Sequence, residues 1–217
     1  MRTFGFPEFL FILEAAKWTL ALSAIAFVGG AILGLIVALM RTSQSTWARG
    51  VSTTFIQVFQ GTPLLLQLFL VFFGAPVLGL DINPWVAAGV ALILNSAAFL
   101  GEIWRGCIEA IPRGQWEAAE ALSLRYTSRM RDVVLPQALK IALAPTVGYV
   151  VQIIKGTSLA AIIGFVEVTR AGQIVNNATF QPLIVFSVVA AIYFAICWPL
   201  SLLAASMERK RARALAR

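Results

Sequence analysis

Long apolar runs separated by short polar connections dominate the chain, and they predict helices that cross a membrane. Five such runs can be drawn, at about 18–40, 54–74, 84–104, 137–165 and 182–207, each near the ~20 residues needed to cross a hydrocarbon core about 30 Å thick. Trp18 to Met40 and Pro182 to Met207 hold no charged residue. The pattern changes at 105–136, where Arg113, Glu117, Glu120, Arg125, Arg129, Arg131 and Asp132 fall within 20 residues. Charges at that density between two spans belong in water. This island reads as two short helices, Gln115 to Leu122 and Thr127 to Val134, with a break near Ser123. Leu135-Pro136 then starts the next span, since Pro suits a first helical turn. The expected fold is an all-α membrane protein, one transmembrane domain over 1–217 with five helices and a cytoplasmic loop at 105–136.

Composition agrees with the pattern and adds orientation. Charged residues make up 12% of the 217, against about 25% in soluble domains, so little chain is left for an aqueous domain. The first run is not a cleavable signal, because its apolar stretch exceeds the ~7–15 residues expected and no basic region precedes it. A net charge of +7 would suggest nucleic acid in a soluble protein, but here the cations follow the membrane. Arg41, Arg49, Arg105, Arg113, Arg125, Arg129, Arg131, Lys140, Arg209, Lys210, Arg211, Arg213 and Arg217 all fall on one side of five alternating spans. Arg2 and Arg170 fall on the other, with Lys17 at a span edge. The positive-inside rule therefore places the N-terminus outside and the island and basic tail in the cytoplasm. The tail reads as an orientation determinant touching anionic lipid, with no nucleic acid as partner. Two cysteines far apart in sequence, Cys107 and Cys197, read as buried apolar thiols, and the absence of His argues against a transition-metal site.

Polar residues inside the spans converge toward one depth. Span two holds Gln57, Gln60-Gly61-Thr62-Pro63 and Gln67; Pro63 removes a backbone bond and Gly61 permits a bend. At about 1.5 Å per residue, Gly61 to Pro63 come roughly 10–14 Å from the inner face and Asn95-Ser96 about 15 Å from the outer one. Lys155-Gly156-Thr157-Ser158 follows at about 21–26 Å from the inner face, a cation beside an expected helix interruption. Amides, hydroxyls and one ammonium thus gather in the middle and outer half of the bilayer. Such a site suits a small zwitterion, with exposed backbone groups and Lys155 meeting a carboxylate and oxygens meeting an ammonium. Thr, Ser and Gln in spans also serve simply to bond neighbouring helices, and Gly30-x-x-x-Gly34 fits a helix-packing pattern. An intramembrane Lys155 needs a partner, either Glu167 or Glu102, or a wet vestibule.

The island resembles the EAA loop of ABC-importer permeases. Glu117-Ala118-Ala119, three residues, Ser123, nine residues, Val133, one residue and Leu135-Pro136 follow that pattern, with Ser123 where the family has Gly and Val133 where Ile is usual. Gln60-Gly-Thr-Pro-Leu-Leu-Leu-Gln-Leu-Phe-Leu70, which includes Leu65, is similar to the (R)GTPLLVQLF stretch of polar amino-acid permeases. Asn95 to Gly106, Ile111 to Ala119, Lys155 to Leu159 and Glu167 to Arg170 resemble further segments of the same proteins, over residues 15–210. Gln60 stands where many relatives have Arg, and Gly156 where an acid is frequent.

The resemblance implies the permease subunit of an amino-acid importer of the histidine/glutamine type, with the type I importer fold, in a bacterial inner membrane. It implies ABC ATPase subunits, a second permease subunit, identical or related, and a periplasmic solute-binding protein as partners. The pathway residues are expected to be Gln60, Thr62, Leu65, Asn95, Lys155, Thr157 and Ser158. The ATPase-coupling residues are expected to be Gln115, Trp116, Glu117, Ala118, Ala119, Ser123, Leu135 and Pro136. The chain has no GxxxxGK[ST] phosphate loop, so it is not expected to be an enzyme or to bind a cofactor; ATP and Mg belong to the partner. A permease for another small solute is the nearest alternative. A secondary transporter would need ion-coupling acids in the spans, where Glu102 is thin support, and a membrane scaffold would need neither the midplane cluster nor the island. With no carboxylate at the site, glutamine or glutamate is favoured over arginine as substrate.

Overall fold

The computed structural model describes residues 3–215, so Arg2 and Arg217 of the charge argument lie outside the described residues. Nine α-helices follow one another among them: α1 Phe6–Arg41, α2 Thr46–Gly61, α3 Leu64–Val77, α4 Pro84–Glu109, α5 Arg113–Ala121, α6 Tyr126–Ser128, α7 Leu135–Gly156, α8 Val168–Thr179 and α9 Pro182–Leu215. A π turn, Arg129–Val134, joins α6 to α7, and a 3-10 turn, Thr157–Ile163, follows α7. Phe6–Arg41, Pro84–Glu109, Tyr126–Ile163 and Pro182–Arg211 are each long and apolar enough to cross a membrane. The pair α2 and α3 passes the same test jointly, but it is bent by 101° at its break.

α1 begins twelve residues before the expected first span. Its start is set by polar chemistry: the Gly5 N–H donates to Glu8 Oε2 at 3.1 Å, and Pro7 occupies the first turn. The added segment, with Glu8, Glu14 and Lys17, is not membrane-like in composition. It is helical because Ile12 and Ala15 pack on Val168, Ala171 and Val175 of α8, with Val185 and Val189 of α9. α8 itself starts at Glu167, whose carboxylate accepts the Arg170 N–H at 2.9 Å, the usual way an orphan helix donor is satisfied.

α1 and α4 form the tightest seam. A Cβ at Gly30 would lie 2.5 Å from Ser96 Cβ, one at Gly34 3.1 Å from the Ala97 carbonyl oxygen, and one at Gly101 2.8 Å from Val37 Cγ1. Only glycine allows that approach, so Gly30-x-x-x-Gly34 is a packing motif here. Ala87, Ala88, Ala91, Leu92, Leu22, Leu68 and Ile153 continue the core around it.

α7 begins at Leu135 with Pro136 in its first turn, as expected, but it does not begin from a break. The backbone stays helical from Tyr126 to Gly156, because the π turn takes up one extra residue where Pro136 lacks an N–H. Past Gly156 the α-helix tightens into the 3-10 turn, the interruption anticipated there, and Gly164 closes it at φ +89°. Cys107 and Cys197 are both buried free thiols.

Candidate functional site

The break in the second apolar segment is held open by one amide. Without an N–H, Pro63 cannot bond the Phe59 carbonyl as a regular helix would. Gln67, one turn into α3, supplies the donor instead: its Nε2 lies 2.8 Å from Phe59 O, 3.0 Å from Thr62 O and 3.0 Å from Thr62 Oγ1. Its Oε1 accepts from Asn95 Nδ2 at 3.1 Å, and Tyr149 OH of α7 donates to Asn95 Oδ1 at 3.4 Å. Phe99 stacks on the Tyr149 ring at 5.4 Å. Four helices, α2, α3, α4 and α7, are thereby tied at the bend. Gln67 had been noted only as a polar residue of its span and as part of the GTPLLVQLF-like stretch, and Tyr149 was missed; neither carries a charge, and the stretch does not say which of its polar groups closes the bend.

Around this buried network the expected pathway residues divide in two. Gln60 and Thr62 are exposed at the bend, with Gln60 Nε2 donating to Ala98 O at 3.3 Å and Thr62 Oγ1 to Val58 O at 2.8 Å. Leu65 and Ser158 are half-buried, and Lys155 is exposed. Asn95 and Thr157 are buried instead of facing the open side. Thr157 Oγ1 donates to Ile154 O at 2.7 Å and Ser158 Oγ to Lys155 O at 2.7 Å, so both hydroxyls close the end of α7. Gly156 brings the two regions together, since a Cβ there would lie 3.2 Å from Leu64 Cδ2.

Lys155 pairs with neither expected acid. Glu102 holds Arg105 at 2.6 Å, which also meets Glu109. Glu167 is fully buried and accepts from Tyr193 OH at 2.5 Å. Among the described residues Lys155 makes no ion pair; it is exposed, and its charge lies within electrostatic range of Cys197 on α9.

The island folds as a hairpin on the C-terminal end of α4 and the N-terminal end of α7. Ile108, Ile111, Met130, Val134 and Ala138 form its core, covered by Trp116, Tyr126 and Leu135. Gln137 Nε2 donates to Gln115 Oε1 at 3.1 Å and to Val133 O at 2.8 Å, fastening α5 to the start of α7. Helical spacing puts Trp116 and Ala119 on the inner face, and Ala119 is only 3% exposed. The expectation that Ala119 faces a partner is therefore corrected: it packs inside its own hairpin. Gln115, Glu117 and Ala118 point outward, joined by Leu122 at 75% exposure, an apolar side chain that sequence reading did not single out.

Ser123 explains the Gly of the family pattern. It sits at φ +55°, in the left-handed region that costs an L-residue about 1–2 kcal/mol. The turn is a Schellman cap, with Ser123 N–H donating to Glu120 O at 2.8 Å and Leu124 N–H to Ala119 O at 3.2 Å. Pro136 is exposed and Leu135 half-buried at the foot of α7.

Comparison with known proteins fits this arrangement. Residues 30–213 match the family described as binding-protein-dependent transport system inner membrane component. The chain belongs to that family. Among curated members, it is 36% identical over 206 residues to the glutamine transport system permease GlnP of Escherichia coli K12, covering 94% of each chain. It is 34% identical over 205 residues to the probable amino-acid ABC transporter permease YckA of Bacillus subtilis 168, covering 94% of this chain and 91% of that one. A solved structure, an amino acid ABC transporter with histidines, superposes with a TM-score of 0.88 at 32% identity, over 96% of this chain and all of that one. The fold is that of a type I ABC importer permease.

Proposed function

We propose that this family member is the membrane-spanning subunit of an ATP-driven amino-acid uptake system, oriented with its N-terminus periplasmic and its C-terminus cytoplasmic. One observation carries the reading: the hairpin is built onto α4 and α7, and those two helices hold Asn95 and Tyr149 of the network at the bend. A push on α5 is thus delivered, through Ile111 and through the Gln115–Gln137 bond, to the helices that frame the open polar side. Rigid-body rocking of that kind is how such a pathway alternates its access.

ATP and Mg are bound and ATP is hydrolysed by a separate ATPase subunit docking on Gln115, Glu117, Ala118 and Leu122, while Trp116, Ala119, Ser123, Leu135 and Pro136 shape the hairpin. A periplasmic binding protein delivers the solute, and a second permease, identical or related, completes the pathway. Gln60, Thr62, Leu65, Lys155 and Ser158 line it; Asn95 and Thr157 set its shape. The substrate is a polar neutral or acidic amino acid. Glutamine and glutamate fit a site whose nearby acids, Glu102 and Glu167, are engaged elsewhere, whereas a basic side chain would lack a partner. The names of the relatives favour the same class.

Purification from native membranes tests the reading. An ATPase and a binding protein should co-elute, and ATP turnover of the reconstituted complex should rise with glutamine or glutamate. Turnover that rises with arginine alone would refute the substrate choice, and elution without an ATPase would refute the role.

A further inference from the structure

A cleft of about 470 Å³ opens beside the hairpin, at the inner end of the bundle and away from the polar network. Leu35 of α1, Trp104, Cys107 and Ile108 of α4, and Leu139 and Ala142 of α7 are among its walls. Arg131 is its one charged lining residue, with a side chain 89% exposed and only Asp132 near it, at 3.9 Å. Arg211 of α9 lies within electrostatic range of Cys107. Cys107 follows Ala98, the partner of Gln60, by nine residues, and at about 100° per residue the two occupy opposite faces of α4. The cleft therefore opens on the face of α4 away from that contact.

We propose that this cleft holds one anionic phospholipid of the inner leaflet, an acyl chain between α1, α4 and α7 and its phosphate on Arg131. The walls offer an acyl chain apolar contact on three sides. The mouth offers a guanidinium that bonds phosphate oxygens in a fork, without a competing acid in firm contact. Basic pockets between helices at the cytoplasmic side recognise anionic headgroups on these terms. The site borders the π turn and Leu135, so an occupied cleft props the foot of α7 where the hairpin meets it. The inference takes the inner end of the bundle as cytoplasmic, as in the proposed function, but its test does not rest on transport.

The test is made on the purified complex in phosphatidylcholine nanodiscs with a rising fraction of phosphatidylglycerol bearing brominated acyl chains. Trp104 emission, isolated by subtracting the Trp104→Phe variant, reports bromine in the cleft. Quenching should half-saturate at a lower fraction of brominated phosphatidylglycerol than of brominated phosphatidylcholine, by about fivefold. Arg131→Gln, at an exposed side chain, should abolish that preference, and Arg131→Lys should retain most of it. Native mass spectrometry of phosphatidylglycerol retained by wild type and Arg131→Gln makes the same comparison without altering Trp104. Equal quenching by both lipids would overturn the proposal in favour of ordinary annular lipid. Quenching by neither would overturn it in favour of a protein segment covering the cleft. Both results would leave the permease role intact.

Discussion

Replacing Gln67 by Met, which keeps the volume and removes the amide, isolates the chemistry of the bend. Two buried or half-buried groups lose their partners: the Phe59 carbonyl, 2.8 Å from Gln67 Nε2, and the Asn95 amide, 3.1 Å from Gln67 Oε1. Each unsatisfied group costs about 1–3 kcal/mol, so the variant should lose about 2–6 kcal/mol. The Thr62 carbonyl adds little, because Thr62 is exposed and another donor can reach it. At ~2–4 °C per kcal/mol for a chain of this size, the low end already lowers Tm by about 4–8 °C. The assay is thermal unfolding of the detergent-solubilised chain, followed by gel-filtration recovery. A second variant checks the cause: in a Pro63→Ala background residue 63 regains an N–H for Phe59 O, so Gln67→Met should cost about half as much there. A Tm within about 1 °C of wild type in the Pro63 background would refute the account.

Three further outcomes are expected. Leu122→Arg should leave the chain as stable as wild type while the ATPase no longer co-purifies, whereas Ala119→Arg should unfold the hairpin itself and lower Tm; the reverse assignment of defects would overturn the inward placement of Ala119. Ser123→Gly should relieve the left-handed turn and raise Tm by about 2–4 °C, for roughly 1 kcal/mol removed, and a drop in Tm would contradict it. With Cys107 and Cys197 replaced by Ala, a cysteine at Asp81 should react with an impermeant thiol reagent in intact spheroplasts and one at Ser128 should not; the opposite labelling would invert the bundle.

Much of the architecture was legible because long apolar runs are a coarse, robust signal, and the EAA-like spacing marked the hairpin. What was not legible depends on contacts between distant residues. Phe6 to Lys17, with Glu8, Glu14 and Lys17, was left outside the expected first span, yet it is helical because α8 and α9 offer Ile12 and Ala15 a surface. The bend at Gly61 to Pro63 was expected, but its 101° turn was not, so a depth count along a straight helix holds only as far as Gly61. Asn95 and Thr157 looked like ligand groups because sequence shows a polar side chain in a span but not the partner that occupies it. Lys155 could not be paired from sequence, because the claims of Arg105 on Glu102 and of Tyr193 on Glu167 are settled only in three dimensions.

The glycine seam between α1 and α4 also limits which parts of the machine can move. With Gly30 and Gly34 fitted against Ser96, Ala97 and Leu100 and Gly101 against Val37, sliding one helix along the other would drive a side chain such as Val37 or Ile93 into backbone. The two helices must therefore travel as a single strut, and the N-terminal helix is a passenger wherever α4 goes. Play is left at the joints made by larger side chains: Trp104 with Thr146 at 2.9 Å, Tyr149 with Asn95, and the facing surfaces of α7 and α9. An inward-open and an outward-open state of this chain should differ across those joints and superpose across the strut.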